Sequence, residues 1–170
     1  MSIMKVFSVI GYTNSGKTST LIEIIKELVK RGKTVNTVKA IHIDGFSVET
    51  EGKDSWLHRE AGATRTAIRS NIETTIMYQK AMSAKELIPF FDADYLILEG
   101  FSSEKKVPKV LCSKNLDDLK KLLDDSVFVI SGVISNEINE YQGIRIINSH
   151  DSISELVDLV VRNVINSSSI

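Results

Sequence analysis

The 170-residue chain contains one cysteine, two prolines, one tryptophan and three histidines. A lone Cys112 excludes an internal disulfide framework and a cysteine-rich metal centre. Its place in the run Val110-Leu111-Cys112 suits a small buried hydrophobe rather than a nucleophile. So few histidines and cysteines leave little to hold a transition-metal cargo. An excess of either charge is also missing: 21 basic and 22 acidic residues give a formal net charge of −1, so no global field recruits nucleic acid or an anionic membrane. No segment reaches the ~18 consecutive apolar residues of a membrane span. The first apolar run leads into a glycine-containing loop rather than a leader-cleavage site, so a cytoplasmic protein is expected. The length suits one domain, residues 1–170, able to bury a core without staples.

What is present is concentrated near the start. Gly11-Tyr12-Thr13-Asn14-Ser15-Gly16-Lys17-Thr18 matches the phosphate-binding pattern G-x-x-x-x-G-K-[ST]. The glycines let successive backbone N–H groups point inward, Lys17 reaches toward the β and γ phosphates, and the Thr18 hydroxyl is placed to ligate Mg²⁺. The alternative is a glycine turn that only joins a strand to a helix. Context weighs against it: Lys5 to Ile10 reads as a buried strand, and from Lys17 onward Leu21, Ile24, Ile25 and Leu28 recur at helical spacing until Gly32. An anion held there meets both the loop amides and the positive end of the helix dipole.

Strand-like and helix-like segments alternate along the rest of the chain. This predicts an α/β fold of the P-loop NTPase type, a mostly parallel sheet with helices on both faces in three layers. Thr34 to Lys39 is the second strand, and Lys53 to Gly62 a short helix with Asp54 as its cap and Gly62 as its stop. Ala63 to Arg69 and Glu73 to Gln79 are paired about Ser70-Asn71. A capping box at Ser83 to Glu86 opens a helix that Pro89 shortens. Tyr95 to Leu98 and Lys109 to Cys112 are strands, Asn115 to Leu123 is helical, and the apolarity of Val127 to Ile134 suits a central strand. A last helix opens at the capping box Ser152 to Glu155 and offers Ile153, Leu156, Val157, Val160, Val161 and Val164 as one face, with Asn166 to Ile170 expected to fray.

Ligands of open parallel sheets bind beyond the carboxyl ends of the strands. Four places qualify. Glu99 ends Tyr95 to Leu98 where a second-motif carboxylate would stand near Mg²⁺ and its waters, although an ion-pair role is the plainer alternative. The loop after Lys39 holds His42 and Asp44: Lys39 can offset γ-phosphate charge, His42 can donate to phosphate, and Asp44 can orient water, or the loop is simply polar surface. Lys53 to Glu60 can meet phosphate or a partner through Lys53 and Arg59, but Trp56 and Leu57 are read as core anchors and the charges around them as a solvated face. Ser135 and Asn136 follow Val127 to Ile134, where a side-chain amide can pair with a guanine edge; a plain turn is the equal alternative.

Together these segments resemble the molybdopterin-guanine dinucleotide biosynthesis protein B family, MobB. The resemblance rests on the phosphate loop, Val38-Lys39 followed by His42 and Asp44, and Glu51 to Trp56 with His58-Arg59-Glu60-Ala61-Gly62. It extends to Leu98-Glu99-Gly100-Phe101 and Val107-Pro108-Lys109-Val110. It implies a GTP- and Mg²⁺-binding homodimer with slow GTPase activity, assisting a separate guanylyltransferase that joins GMP to molybdopterin in building the molybdenum or tungsten cofactor. Carried over by position, Gly11 to Thr18 bind phosphates, Thr18 and Glu99 attend Mg²⁺, and Lys39, His42 and Asp44 belong to the polar loop near the γ phosphate. Catalytic contributions then fall to Lys17, Glu99 and Asp44, with Asp44 also near the metal and Ser135 and Asn136 at the base. The residues alone leave two other classes open: a kinase of a small metabolite, with Arg59, Arg65 or Arg69 on a lid, and a binding module that never turns nucleotide over.

Overall fold

The computed structural model describes residues 3–170. The chain divides into two compact units, one of residues up to Ala40 together with Ala84–Ile170, the other of Ile41–Ser83. Among the described residues no helix is long and apolar enough to cross a membrane.

The larger unit is built around β1 (Lys5–Ile10), whose residues from Val6 onward are buried on both faces. Their alternation sorts them: Phe7 and Val9 enter one core layer, and Val6 and Ile10 enter the layers of the opposite face. The chain continues through α1 (Lys17–Lys30) to β2 (Val35–Lys39). In the smaller unit α2 (Asp54–Glu60) precedes the antiparallel hairpin of β3 (Arg65–Arg69) and β4 (Thr74–Tyr78). The larger unit resumes with α3 (Ala84–Leu87), which passes into a 3₁₀ turn at Ile88–Phe90 where Pro89 removes a donor. There follow β5 (Tyr95–Glu99), β6 (Lys109–Cys112), α4 (Leu116–Leu122), β7 (Val127–Ser131) and a 3₁₀ turn at Val133–Asn136. The small hairpin of β8 (Glu140–Tyr141) and β9 (Ile144–Arg145), α5 (Ile153–Asn163) and β10 (Ile165–Asn166) complete it.

Five strands run parallel in the order β2-β5-β1-β6-β7. Leu21, Ile24 and Leu28 of α1 pack with Leu156, Val157 and Val160 of α5 on one face of the sheet. Leu119 of α4 and Ala84 of α3 join the cores of the other face. The expected three-layer α/β/α arrangement is what the sequence folds into, because runs such as Tyr95–Glu99 are buried on both sides and need a cover on each.

Several details differ from the sequence reading. The run from Val127 is strand only to Ser131: β7 is the last of the five parallel strands, and its apolarity is matched by α5 and by Ile146, which bridges Ile130 in parallel. Ser152 makes no side-chain cap, Glu155 pairs with Arg145, and Val161 lies on the outer side of α5 at 46% exposure. Asp54 sits in the first turn of α2 while Lys53 holds the cap position. The segment expected to fray adds β10 antiparallel to β1, with Lys5 Nζ donating to Asn166 Oδ1 at 2.6 Å. Trp56 and Leu57 are not core anchors either: α2 buries no residue, Leu57 is half exposed, and Trp56 lies under the Arg59 guanidinium at 5.8 Å.

Cys112 is fully buried, and desolvation pushes its thiol up to about 12, so it packs as the small hydrophobe its context predicts.

Candidate functional site

Residues 11–16 connect β1 to α1 as a tight arch. Gly11, Asn14 and Gly16 have φ of 153°, 62° and 85°, which turns consecutive amides to one side. A Cβ at Gly11 would stand 2.3 Å from the Cys112 carbonyl oxygen and 2.5 Å from Ser15 Oγ. The arch is locked from outside by Gly132, φ 86°, whose missing Cβ would fall 2.1 Å from the Ser15 carbonyl oxygen. Next to it the Val133 N–H donates to that same carbonyl at 3.1 Å.

The arch opens onto a cleft of about 600 Å³ lined by residues 12–19 with Lys39, Glu99 and Val133. Lys17 Nζ donates to the Gly11 carbonyl at 2.9 Å, which folds the ammonium group back over the loop. Lys39, more than half exposed, pairs through Nζ with Glu99 Oε1 at 2.9 Å, and the Glu99 side chain is 8% exposed. β2 and β5 are in register at these two residues, so the pair follows from adjacent parallel strands ending together. The ion-pair alternative for Glu99 is thus present, at a carboxylate that also lines the cleft.

Two observations test whether the cleft suits an anionic ligand. Ser15 Oγ is buried with no hydrogen-bond partner, an arrangement that costs free energy unless an acceptor or donor arrives. The start of α1 has a glycine at its cap, no side-chain cap and no acidic residue in its first turn, so its first N–H groups have no side-chain acceptor. Both fit a polyphosphate. Among the described residues no group of three or more His, Cys, Asp or Glu is arranged to hold a metal ion. A divalent ion here would draw on the exposed Thr18 hydroxyl, Glu99, water and the ligand's own oxygens, the donor set of hard cations.

Ser135 and Asn136 lie on the 3₁₀ turn after β7, beside a smaller cavity of about 160 Å³. Ser135 Oγ donates to the Gly132 carbonyl at 2.6 Å and Asn136 Nδ2 to the Val133 carbonyl at 3.1 Å. His42 and Asp44 belong to the smaller unit, on its exposed segment before α2, where the Phe46 N–H closes a turn on the Ile43 carbonyl at 3.1 Å. In that unit Arg59 is engaged by Glu49 at 3.0 Å and Glu60 at 3.2 Å, and Arg65 lies over the Tyr78 ring at 5.2 Å.

Sequence reasoning missed Gly132, Val133, Asn148, Ser149 and His150. Gly132 was visible only as an interruption of an apolar run. Asn148 to His150 follow Ile146-Ile147, an extension too short to read as a strand, although Ile146 pairs with β7.

A central strand, a glycine arch, an uncapped helix start and a carboxylate at the end of the neighbouring strand define the class: a P-loop α/β protein of the NTPase fold. The profile of the family "MobB: Molybdopterin guanine dinucleotide synthesis protein B" matches residues 6–136, and the chain belongs to that family. It is 37% identical over 106 residues to the molybdopterin-guanine dinucleotide biosynthesis adapter protein of Haemophilus influenzae, covering 59% of this chain and 58% of that one. The match therefore spans little more than half the length of that relative. A probable molybdopterin-guanine dinucleotide biosynthesis adapter protein of Bacillus subtilis is 27% identical over 161 residues, covering 92% and 91% of the two chains. A crystal structure of Bacillus subtilis MobB superposes with a TM-score of 0.76 at 27% identity, covering 95% of this chain and 99% of that one.

Proposed function

We propose that this protein is an adapter in molybdopterin-guanine dinucleotide biosynthesis that binds GTP with Mg²⁺ in the cleft at residues 11–18. In this reading it assists a separate guanylyltransferase in joining GMP to molybdopterin. The observation that carries the nucleotide reading is the glycine arch with its buried, partnerless Ser15 hydroxyl at the foot of an uncapped 14-residue helix. The pathway is supported by family membership and by the adapter role printed for the relatives.

In this reading the arch amides and the Ser15 hydroxyl bind the phosphate oxygens. Lys17 exchanges the Gly11 carbonyl for the β and γ phosphates, a charge-assisted bond stronger than the neutral one it replaces. Bound Mg²⁺ supplies further charge neutralisation on the transferring phosphoryl group. Lys39 holds Glu99 toward the cleft and offsets phosphate charge, and Glu99 orients water. His42 and Asp44 take the polar-loop roles that the family pattern gives them, and Asn136 with Ser135 meets the base. Turnover is slow, because among the described residues no arginine lines the cleft, and an arginine at the transferring phosphate is worth ~10³–10⁵ in rate where present. Homodimer formation is carried over from the family resemblance.

Calorimetric titration of GTP and of ATP with Mg²⁺ tests the reading, repeated with Lys17→Ala. The wild type takes up GTP more tightly than ATP, and Lys17→Ala loses roughly 10- to 150-fold, as for one hydrogen bond to a charged group, with unchanged melting. Equal affinity for the two nucleotides removes the guanine assignment, and no uptake of either removes the nucleotide reading. Product analysis finds GDP and phosphate rather than a phosphorylated metabolite.

A further inference from the structure

The phosphate cleft and the smaller cavity share Gly16, Ser19 and Val133, so they adjoin along the first turn of α1. Their chemistry differs. The cleft carries Lys17, Lys39 and Glu99, whereas the cavity is lined by hydroxyls, amides, backbone and His150, with no lysine, arginine or carboxylate. A polar wall without lysine, arginine or carboxylate beside a cationic one suits the uncharged half of a ligand whose other half is a polyphosphate.

The far wall is Asn148 to His150, delivered by Ile146-Ile147. The parallel bridge of Ile146 to Ile130 and the Ile147 N–H bond to the Ile130 carbonyl at 2.9 Å place this segment beside the end of β7. Ser149 is buried with its hydroxyl 3.2 Å from Thr20 Oγ1 of α1, which fixes the wall to the helix that begins at the phosphate loop. Three hydrogen bonds then run in one direction across the cavity rim. The His150 backbone N–H donates to Asn148 Oδ1 at 2.9 Å, Asn148 Nδ2 donates to Asn136 Oδ1 at 2.9 Å, and Asn136 Nδ2 donates to the Val133 carbonyl at 3.1 Å. Because a backbone donor stands at one end and a backbone acceptor at the other, neither amide can turn over without losing bonds at both of its ends. Asn136 is left with one N–H and one oxygen lone pair unspent, in a fixed order.

We infer that Asn148 is a positioning residue of the nucleoside half of the site, holding the Asn136 amide so that it presents one donor beside one acceptor to a purine edge. This deepens the nucleotide reading and rests on it. A side-chain amide so oriented matches purine edges that carry an acceptor next to a donor, and a reversed amide does not. Asn148 need not touch the base to act in this way, since its bonds to Asn136 and His150 are what fix the Asn136 amide.

The test compares inorganic tripolyphosphate with GTP, both with Mg²⁺, in the full chain and in Asn148→Leu. Tripolyphosphate reports the phosphate cleft alone and also shows that the variant is folded. The wild type binds GTP more tightly than tripolyphosphate, and Asn148→Leu lowers GTP affinity about tenfold, the scale of one hydrogen bond, while tripolyphosphate affinity stays within a factor of two. GTP affinity unchanged in Asn148→Leu overturns the inference and leaves the phosphate site standing. Equal loss of both ligands also overturns it, since Asn148 then acts on the loop and not on the base. A wild type that binds neither ligand overturns the nucleotide reading and this inference together.

Discussion

Replacing Gly132 with alanine tests whether the phosphate arch is held from outside by β7. Gly132 has φ 86° and ψ −158°, a region essentially reserved for glycine, where an L side chain costs about 1–3 kcal/mol. The added Cβ would also fall 2.1 Å from the Ser15 carbonyl oxygen and 3.0 Å from the Ser113 nitrogen, both backbone atoms that no rotamer change can clear. Relief requires the chain to part, and the Val133 N–H bond to Ser15 at 3.1 Å is then lost, adding about 1 kcal/mol. The sum is about 2–4 kcal/mol of stability, close to a 4–16 °C fall in melting temperature for a chain of this size. Because the strain falls on the arch, tripolyphosphate binding should weaken by more than tenfold in whatever fraction remains folded. Thermal melting by circular dichroism, paired with calorimetry, measures both. A variant melting within 2 °C of the wild type and binding tripolyphosphate normally would refute the contact as a support of the loop.

Lys109 is fully buried and its ammonium pairs with Asp124 at 3.0 Å, so Asp124→Asn should cost about 2–3 kcal/mol in urea unfolding. That lies below the full penalty for a broken buried pair, since Asp124 is 42% exposed. Lys109→Met added to Asp124→Asn should recover part of the loss, and no recovery would argue against a stranded charge. Acid should destabilise through two carboxyls. Burial acts to raise the Asp124 carboxyl, but bonds from the Ser126 hydroxyl, Lys109 and the Ser126 backbone outweigh it and hold it below its ordinary 3.8. The Arg31 bond holds Glu27 below 4.5. Groups lowered on folding stabilise above their unfolded values and lose that contribution as pH falls through them, so stability should be level from about pH 6 to 8 and decline below about 5. Glu27→Gln should shallow that decline, as read from urea midpoints across pH, and an unchanged slope would contradict the assignment.

Much of the fold was legible because it is local. The apolar runs at Lys5–Ile10 and Tyr95–Glu99, the glycine arch, and the 3.6-residue spacing of α1 each declare themselves within a few residues. The hairpin about Ser70 was readable for the same reason: the Ser70 hydroxyl accepts from the Ile72 and Glu73 N–H groups and closes the turn locally. What escaped depends on partners far along the chain. Ser152 fits a capping signature, yet Glu155 spends its charge on Arg145, whose position is set by the small β8–β9 hairpin. Asn166 reads as a loose tail until it is paired with Lys5, 161 residues away. The Lys39–Glu99 pair required knowing that β2 neighbours β5, and Asn148 required knowing that Ile146 extends the sheet beyond β7.

β1 is made before any strand it pairs with and sits in the middle. Its neighbours on one side and the other are β5 and β6, and β10 completes the pairing at Lys5 and Val6. On a translating ribosome at ~5–20 residues per second, the opening strand waits roughly 5–20 s for β5 to emerge, with its apolar side chains uncovered and both hydrogen-bonding edges vacant. During that interval the chain is most exposed to misassociation, and holdase chaperones that shelter nascent β segments should influence its yield more than its final stability does.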